Sequence, residues 1–251
     1  MDEGQDIAAL RRLIETSQRG IVFTGAGIST ESGIPDFRSP TGIWQTSKPI
    51  YFQDFMASSE ARQETWRRKF LTDPTIRAAE PNRGHRAVAR LVREGKISAI
   101  ITQNIDGLHQ ASGVPENKVI ELHGNTTFAH CLDCGERYEI DALKAVFERD
   151  GDVHDCVACG GFIKTATISF GQAMPEAAML RAQAETMAAD LCIVLGSSLV
   201  VYPAAGFPER AKRNGAKLVI VNNEETGLDR MADLVIHRGI GTVLGSAVDV
   251  N

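Results

Sequence analysis

The stretch that decides the fold is Gly20-Ile21-Val22-Phe23-Thr24-Gly25-Ala26-Gly27-Ile28-Ser29. Its apolar, β-branched run 21–24 predicts a buried strand, and that strand leads directly into Gly-x-Gly. In dinucleotide-binding folds, glycines at this turn let backbone N–H groups approach a pyrophosphate at the start of the next helix. The third glycine of the full fingerprint is replaced by Thr30. On spacing alone, a tight strand-to-helix turn without a nucleotide explains the two glycines equally well.

Short apolar runs elsewhere in the chain predict further buried strands, and helical patterns lie between several of them. The predicted strands are 97–102, 119–122, 191–195, 218–221 and 234–236, and the predicted helices are 7–18, 83–94, 175–188 and 203–213. This alternation predicts an α/β fold with a Rossmann-type parallel sheet and helices on both faces. The stretches 36–81 and 128–163 interrupt the rhythm, so we expect them to form a second, smaller domain.

The composition is that of a folded globular protein. The chain has 251 residues, 43% of them hydrophobic, with 27 Lys and Arg against 32 Asp and Glu, for a net charge of −5. These values exclude the disordered and fibrous classes and make nucleic-acid phosphates an unexpected main partner. Residues 1–6 are acidic rather than basic, and the apolar run 191–207 is interrupted and short, so we expect a cytoplasmic protein without a membrane partner.

Polar side chains follow two of the predicted strands. Gln103, Asn104, Ile105 and Asp106 come directly after 97–102, and His123 comes after 119–122. Open α/β sheets bind ligands at the carboxyl ends of their strands, so these positions suit a binding site. By position alone Asn104 and Asp106 are as well explained as turn residues, and a single histidine is more often structural.

Four of the five cysteines form two Cys-x-x-Cys pairs, Cys131 with Cys134 and Cys156 with Cys159, separated by 21 residues. Four thiolates complete a tetrahedral Zn²⁺ site with no open position, so the predicted metal is structural, one ion per chain. Disulfides would need an oxidising compartment, and a redox role fits one such pair better than two. Cys192 lies inside a predicted strand and is expected to pack in the core.

Beyond the first two glycines, the chain resembles a known family. The segment Gly25–Arg38, GAGISTESGIPDFR, resembles the cofactor-loop signature of the sirtuins, which are NAD-dependent protein lysine deacylases. The resemblance continues through the segments 42–44, 102–109, 121–124, 170–171, 196–199 and 221–224 and spans residues 20 to 245. It implies a small domain made of a helical insertion and a Cys₄ zinc ribbon. The expected division is 1–35, 82–127 and 164–251 for the NAD-binding domain, 36–81 for the cofactor loop and helical insertion, and 128–163 for the zinc part.

The resemblance also implies the chemistry. The acetyl oxygen of a substrate lysine attacks the ribose carbon as nicotinamide leaves, and His123 is the general base that activates a ribose hydroxyl, giving free lysine and O-acetyl-ADP-ribose. His123 and Asn104 are the expected catalytic residues, whereas His109 and the other histidines receive no chemical role. The expected NAD contacts are Gly25, Ala26, Gly27, Ser29, Pro35, Asp36, Phe37, Arg38, Gln103, Asn104, Ile105, Asp106, His123, Gly196, Ser197, Ser198, Asn222, Glu224 and Ile240.

The same resemblance places an acetylated-lysine peptide as an added strand between the segments 168–172 and 198–202. The expected substrate contacts are Ile168, Phe170, Gly171, Gln172, Leu199 and Val200. Glu64 stands where members that remove succinyl or malonyl groups carry tyrosine, and its carboxylate would oppose an acidic acyl group. Mono-ADP-ribosyl transfer to protein, removal of longer acyl groups and non-catalytic sensing of NAD or ADP-ribose are the alternatives.

Overall fold

The computed structural model describes residues 2–36, 42 and 47–251. Its strands are β1 (Gly20–Thr24), β2 (Ile97–Thr102), β3 (Val119–Glu121), β4 (Gly124–Cys131), β5 (Arg137–Glu139), β6 (Ile163–Thr167), β7 (Leu191–Leu195), β8 (Lys217–Val221) and β9 (Leu234–Ile236). Six of them form a parallel sheet in the order β3-β2-β1-β7-β8-β9. The predicted fold class is confirmed, because this is the strand order of a Rossmann-type sheet.

Helices cover both faces of this sheet. The helices are α1 (Glu3–Thr16), α2 (Phe52–Ala57), α3 (Ser59–Ala78), α4 (Arg83–Arg93), α5 (Leu108–Ala111), α6 (Ile140–Asp150), α7 (Glu176–Ala188), α8 (Gly206–Arg213) and α9 (Ile240–Ala247). Val22 of β1 lies in one apolar core with residues of α1, α4 and α9. Ile21 and Phe23 lie in a second core with residues of α7 and α8. Both faces of β1 are therefore buried, which explains its unbroken apolar run.

Two helices begin three or more residues away from their predicted starts. The first helix starts at Glu3 rather than Ile7, because the Asp2 carboxylate caps it by accepting from the Gln5 amide at 2.8 Å. The helix predicted from Pro203 begins at Gly206. The amides of Gly206 and Phe207 bond to carbonyls three residues back, at 3.1 Å, so the preceding residues form turns.

A third apolar cluster lies outside the large sheet. Strands β5, β4 and β6 form an antiparallel sheet in that order, and α6 follows β5. Its cluster joins Trp66 and Phe70 of α3 to residues of β4, β6 and α6. The segment 128–163 thus packs on the helical insertion. The expected boundaries at 127/128 and 163/164 fall inside β4 and β6, so both strands run from one part into the other.

An ion-pair chain also joins these two parts. The Asp73 carboxylate of α3 accepts from Lys69 and, at 2.5 Å, from Arg77. Arg77 then reaches Asp141 of α6 at 2.7 Å. Lys69 and Asp73 are buried within α3, whereas Arg77 and Asp141, which make the contact between α3 and α6, are exposed, so that contact adds little stability of its own.

Candidate active site

The candidate site lies at the carboxyl end of the large sheet, where strand order reverses. Chain order runs outward from β1 through β2 and β3 on one side, and through β7, β8 and β9 on the other. The crevice between the loops after β1 and β7 is the position at which open α/β sheets bind ligands. The strands therefore deliver Gly25, Gln103, His123 and Gly196 to one edge.

The glycines at this crevice are required by contact between two loops. A Cβ on Gly27 would lie 2.7 Å from the Gly196 Cα, and one on Gly25 would lie 2.6 Å from the Gly196 carbonyl oxygen. The amides of Gly25 and Gly27 donate to Leu195 and Gly196 carbonyls at 3.1 and 2.9 Å. These two N–H groups are therefore occupied within the fold. The missing side chains let the loop after β7 pack against the turn, and the approach of a pyrophosphate to this turn stays a prediction.

Ser29, Asn104 and Asp106 form one hydrogen-bonded group beside this turn. The Ser29 hydroxyl donates to Asp106 Oδ2 at 2.7 Å and accepts from Asn104 Nδ2 at 3.2 Å. Asp106 Oδ1 accepts from the Leu108 amide at 2.9 Å. Ser29 and Asn104 are buried, so their orientation is fixed before any ligand arrives. Ile105 lies between them in sequence, and its carbonyl accepts from the Thr126 amide at 2.9 Å.

The His123 ring is oriented by a backbone carbonyl. Its Nδ1 lies 3.1 Å from the Gln103 carbonyl oxygen, and its own carbonyl accepts from the Ile168 amide at 2.8 Å. A carbonyl can only accept, so Nδ1 carries the proton in this contact. The neutral ring then has its lone pair on Nε2, which is the arrangement that a general base needs.

Other expected NAD contacts lie on the same edge but differ in exposure. The side-chain Nε2 of Gln103 donates to the Ser197 hydroxyl at 2.8 Å, so the loops after β2 and β7 are joined. The side-chain Nδ2 of Asn222 donates to the Glu224 backbone carbonyl at 2.7 Å, and Glu224 is exposed. Ile240, at the start of α9, is a core residue. Ser198, Ala26, Pro35 and Asp36 also lie within the described chain, whereas Phe37 and Arg38 fall outside it.

The two segments expected to hold a peptide present different surfaces. Phe170 and Val200 are exposed, and Gly171 has φ +82°. The Gln172 carboxamide oxygen accepts from the Ser169 amide at 3.1 Å and closes a turn. Leu199 is buried in the core beneath the sheet with φ +56°, so only its backbone can face a peptide. Ile168 is half-buried next to His123.

The candidate site rests on a buried polar group that the sequence reasoning passed over. Thr24 and Thr102 end the paired strands β1 and β2 in register, and their hydroxyl oxygens lie 2.7 Å apart. His109 Nε2 lies 3.0 Å from the Thr24 hydroxyl. A polar residue ending each of two adjacent apolar strands was the signal, but their register could not be known without the topology.

The four paired cysteines converge as predicted. Their sulfurs all lie within 4.8 Å of one another, with Cys131 to Cys159 at 3.5 Å and Cys134 to Cys156 at 3.7 Å. A tetrahedral Zn²⁺ with bonds of about 2.3 Å spaces its sulfurs by roughly 3.8 Å, so the group fits zinc. The Tyr138 hydroxyl donates to Cys156 Sγ at 3.1 Å and lowers the pKa of that thiol to about 6. Cys192 is fully buried in β7, away from this cluster, as predicted.

The helical insertion carries the predicted carboxylate as half of a compact charge cluster. Glu64 pairs with Arg67 and Arg68, each at 2.6 Å. Hydrogen bonds from these two guanidinium groups lower the pKa of Glu64 to about 2.

Across residues 2–36, 42 and 47–251, every helix is too short or too polar to cross a membrane.

Comparison with known proteins agrees with this geometry. Sequence relatives include NAD-dependent protein deacetylase 1 of Bradyrhizobium diazoefficiens, 57% identical over 96% of this chain and 95% of that protein. The NAD-dependent protein deacetylase of Rhodopseudomonas palustris is also 57% identical, over 91% of this chain and 90% of that protein. A solved Sir2 structure described as a complex with a p53 peptide and NAD⁺ matches with a TM-score of 0.86 and 37% identity, covering 95% of each chain. A second, from work on the mechanism and regulation of Sir2 enzymes, matches with a TM-score of 0.86 and 39% identity, covering 98% of this chain and 97% of that one.

The family assignment rests on the largest part of the chain. The family model described as "Sir2 family" matches residues 25–203. That range includes the glycine turn, Asn104, His123 and all four paired cysteines. The resemblance seen in the sequence is confirmed. This chain belongs to the Sir2 family.

Proposed function

We propose that this chain is an NAD-dependent protein lysine deacetylase that converts NAD and an acetylated lysine into nicotinamide, free lysine and O-acetyl-ADP-ribose. The observation that carries the proposal is the His123 ring, held through Nδ1 by the Gln103 carbonyl at 3.1 Å at the carboxyl end of the sheet. A base with its lone pair on Nε2 can take a proton from a ribose hydroxyl. The high identity to relatives that are named NAD-dependent protein deacetylases supports the same reaction.

Asn104 is proposed to orient the ribose that takes part in the reaction. Its Nδ2 is bonded to Ser29, while its Oδ1 accepts no hydrogen bond from the residues that the structure describes. That oxygen is therefore available to a ribose hydroxyl. The Asp106 carboxylate, fixed by Ser29 and the Leu108 amide, is suited to hold the carboxamide of nicotinamide.

The remaining proposed contacts divide between NAD and the peptide. The loops 25–36, 196–198 and 222–224, with Ile240, would bind NAD, and Phe37 and Arg38 would close over it. The peptide would add a strand between 168–172 and 198–202, so that main-chain pairing accepts many sequences. Zinc, held by the four cysteines, would supply structure and no chemistry of its own. We propose that the protein acts in the cytoplasm.

An acetyl group is the proposed acyl group because Glu64, at the position where members that remove succinyl or malonyl groups carry tyrosine, is a carboxylate paired with Arg67 and Arg68. The Glu64 carboxylate pairs with both Arg67 and Arg68 at 2.6 Å, so it offsets one of their two positive charges and would compete with a succinyl or malonyl carboxylate for their N–H groups. A neutral acyl group needs no such partner. The acyl-peptide experiment described next measures the preference between acetyl and longer neutral acyl groups.

The test is a mixed library of acyl-lysine peptides incubated with the enzyme, with and without NAD, and analysed by mass spectrometry. We expect acetyl loss only with NAD and one nicotinamide per lysine freed. Acetate release without NAD would contradict the mechanism. Nicotinamide release with ADP-ribose attached to protein, independent of acetyl-lysine, would instead identify a mono-ADP-ribosyltransferase, and NAD binding without turnover would identify a sensor.

A further inference from the structure

Three buried side chains form a hydrogen-bonded chain that ends at Asn104. His109 Nε2 lies 3.0 Å from Thr24 Oγ1, and Thr24 Oγ1 donates to Thr102 Oγ1 at 2.7 Å. Thr102 Oγ1 accepts from the Asn104 backbone amide at 3.0 Å. None of these three side chains is more than 2% exposed, so water does not compete for their contacts.

The direction of these bonds follows from counting protons. The Thr24 hydroxyl has one proton, which it gives to Thr102, so it must accept from His109 through an Nε2–H. Burial lowers the pKa of His109 to about 3, so the ring is neutral and carries a single N–H. That proton is therefore committed to Thr24, and Nδ1 is left as an acceptor.

The cost of this arrangement argues for a role. His109 Nδ1 and both ring nitrogens of His85 are buried without a hydrogen-bond partner in the described chain, and the two rings meet edge to face at 5.2 Å. Unpartnered buried polar atoms are rare in folded proteins, because each loses its contacts with water. An apolar ring at position 109 would avoid that loss at Nδ1, so the presence of an imidazole there indicates that its Nε2–H is used.

The position of Asn104 shows what that hydrogen bond supports. Its side chain is held from one side by Ser29, and its backbone amide is held from the other by Thr102. A shift of the backbone at residue 104 would move Oδ1 away from the ribose. Small displacements of a group that orients the reacting atoms cost rate more than affinity.

We propose that His109 is a positioning residue that fixes the Asn104 backbone through the hydroxyls of Thr24 and Thr102. This inference rests on the proposed deacetylase function, in which Asn104 orients the ribose. His109 itself touches neither substrate, and the threonines transmit its effect.

The experiment compares Thr102→Val, Thr102→Ser and His109→Phe with the wild type. Thr102→Val keeps the shape but leaves the Asn104 amide without its acceptor, whereas Thr102→Ser keeps the hydroxyl. Thr186→Val is the matched control, since Thr186 is a fully buried threonine of α7 whose hydroxyl has no partner in the described chain. Steady-state deacetylation, binding of ADP-ribose and thermal unfolding are measured for each protein.

For Thr102→Val and His109→Phe we expect a kcat lower by about tenfold, the effect of losing roughly one hydrogen bond, with KM for NAD and ADP-ribose affinity changed less than threefold. The double variant is expected to be no slower than the slower single variant, because both changes break one chain. Thr102→Ser and Thr186→Val are expected to keep wild-type kcat.

Several outcomes would overturn the proposal. A His109→Phe protein that is more stable and equally active would show that the imidazole supports nothing. If His109→Phe does not fold, Thr102→Val alone tests the proposal. An unchanged kcat in Thr102→Val would show that the hydrogen-bonded chain does not position Asn104. If the losses of kcat in Thr102→Val and His109→Phe add up in the double variant, the two residues act independently and do not form one chain. A wild-type protein without NAD-dependent deacetylation would remove the proposed function and this inference with it, whereas a normal wild type with unaffected variants removes only the inference.

Discussion

The amide of Gly27 donates to the carbonyl of Gly196 at 2.9 Å, joining the loops that leave the two central strands of the sheet. Gly196 has φ +64°, and a Cβ there would lie 2.3 Å from the Ile28 backbone nitrogen. The crevice of the candidate site is thus formed by two backbones in direct contact. Its shape depends on residues that contribute no side chain.

Gly196→Ala is expected to lose NAD binding and to unfold at a lower temperature. The left-handed backbone alone costs roughly 1–2 kcal/mol, and the contact with Ile28 adds to it because backbone cannot move aside easily. Gly95→Ala is the control, since Gly95 has φ +74° and nothing within 4 Å of the added Cβ. Thermal unfolding and NAD titration check the pair. Equal losses in both variants would mean that backbone strain, and not the loop contact, explains the effect.

His123→Ala is expected to lower deacetylation by on the order of 10²-fold or more, because a positioned general base is removed. ADP-ribose binding and the unfolding temperature should change little, since His123 lies outside the apolar cores that stabilise the sheet. His154→Ala is the control, as that exposed histidine of the zinc part pairs with Asp150 at 2.6 Å. A His123→Ala protein that keeps most of its activity would show that another group is the base.

The sequence predicted the sheet because buried parallel strands are continuous apolar runs, as at 191–195 and 218–221. It predicted the metal site because Cys-x-x-Cys spacing alone turns two sulfurs to one point. Both signals are local, and the sheet and the sulfur cluster are found as expected.

The sequence could not predict the register of paired strands or the close contacts between distant backbone segments. Thr24 and Thr102 meet only because β1 and β2 pair in one register, which depends on the whole topology. The close contact that requires glycine at positions 25 and 27 was likewise not visible in the sequence, because the backbone they approach is about 170 residues away, at Gly196. The start of α1 was missed for a different reason: the acidic N-terminal residues were interpreted as charge alone, although Asp2 is a cap.

Removal of zinc is expected to disorder the antiparallel sheet and the cluster around Trp66. That cluster contains the ligands Cys131 and Cys156 and is shared with α3, so 128–163 has little apolar core of its own. Chelation should inactivate the protein slowly, and Cd²⁺ should restore activity, because the site has no open position. Elemental analysis should find one zinc per chain.

Single alanine substitutions test this further, in a Trp44→Phe background where Trp66 is the only tryptophan. Alanine at Cys131, Cys134, Cys156 or Cys159 should each abolish zinc retention and shift Trp66 fluorescence to the red. Cys192→Ala should do neither, because Cys192 is buried in β7. Metal-free protein that stays folded and fully active, or zinc loss in Cys192→Ala, would contradict the structural assignment.

The free energy of unfolding is expected to fall as pH falls below about 6.5. Burial lowers the pKa of His85 to about 4 and that of His109 to about 3, whereas both titrate near 6.5 in an unfolded chain. Between about pH 6.5 and 4 the unfolded chain therefore binds more protons than the folded one, and protonation favours unfolding. The two histidines together contribute a slope of up to roughly 3 kcal/mol per pH unit, and above pH 7.5 they contribute none.

Guanidinium unfolding at pH 7, 6 and 5, with zinc present, measures this slope in the wild type and in His109→Phe. Removing one of the two buried histidines should make the variant's loss of stability between pH 7 and 5 clearly smaller. Burial also lowers the pKa of His130, which adds to the slope in the same direction, but His130 is present in both proteins and cancels in the comparison. The carboxylates of Glu64 and Asp233 have pKa values of about 2 and do not distinguish the two proteins over this range. Identical slopes would mean that His109 accepts protons in the folded protein as readily as in the unfolded chain, and would contradict the lowered pKa of His109.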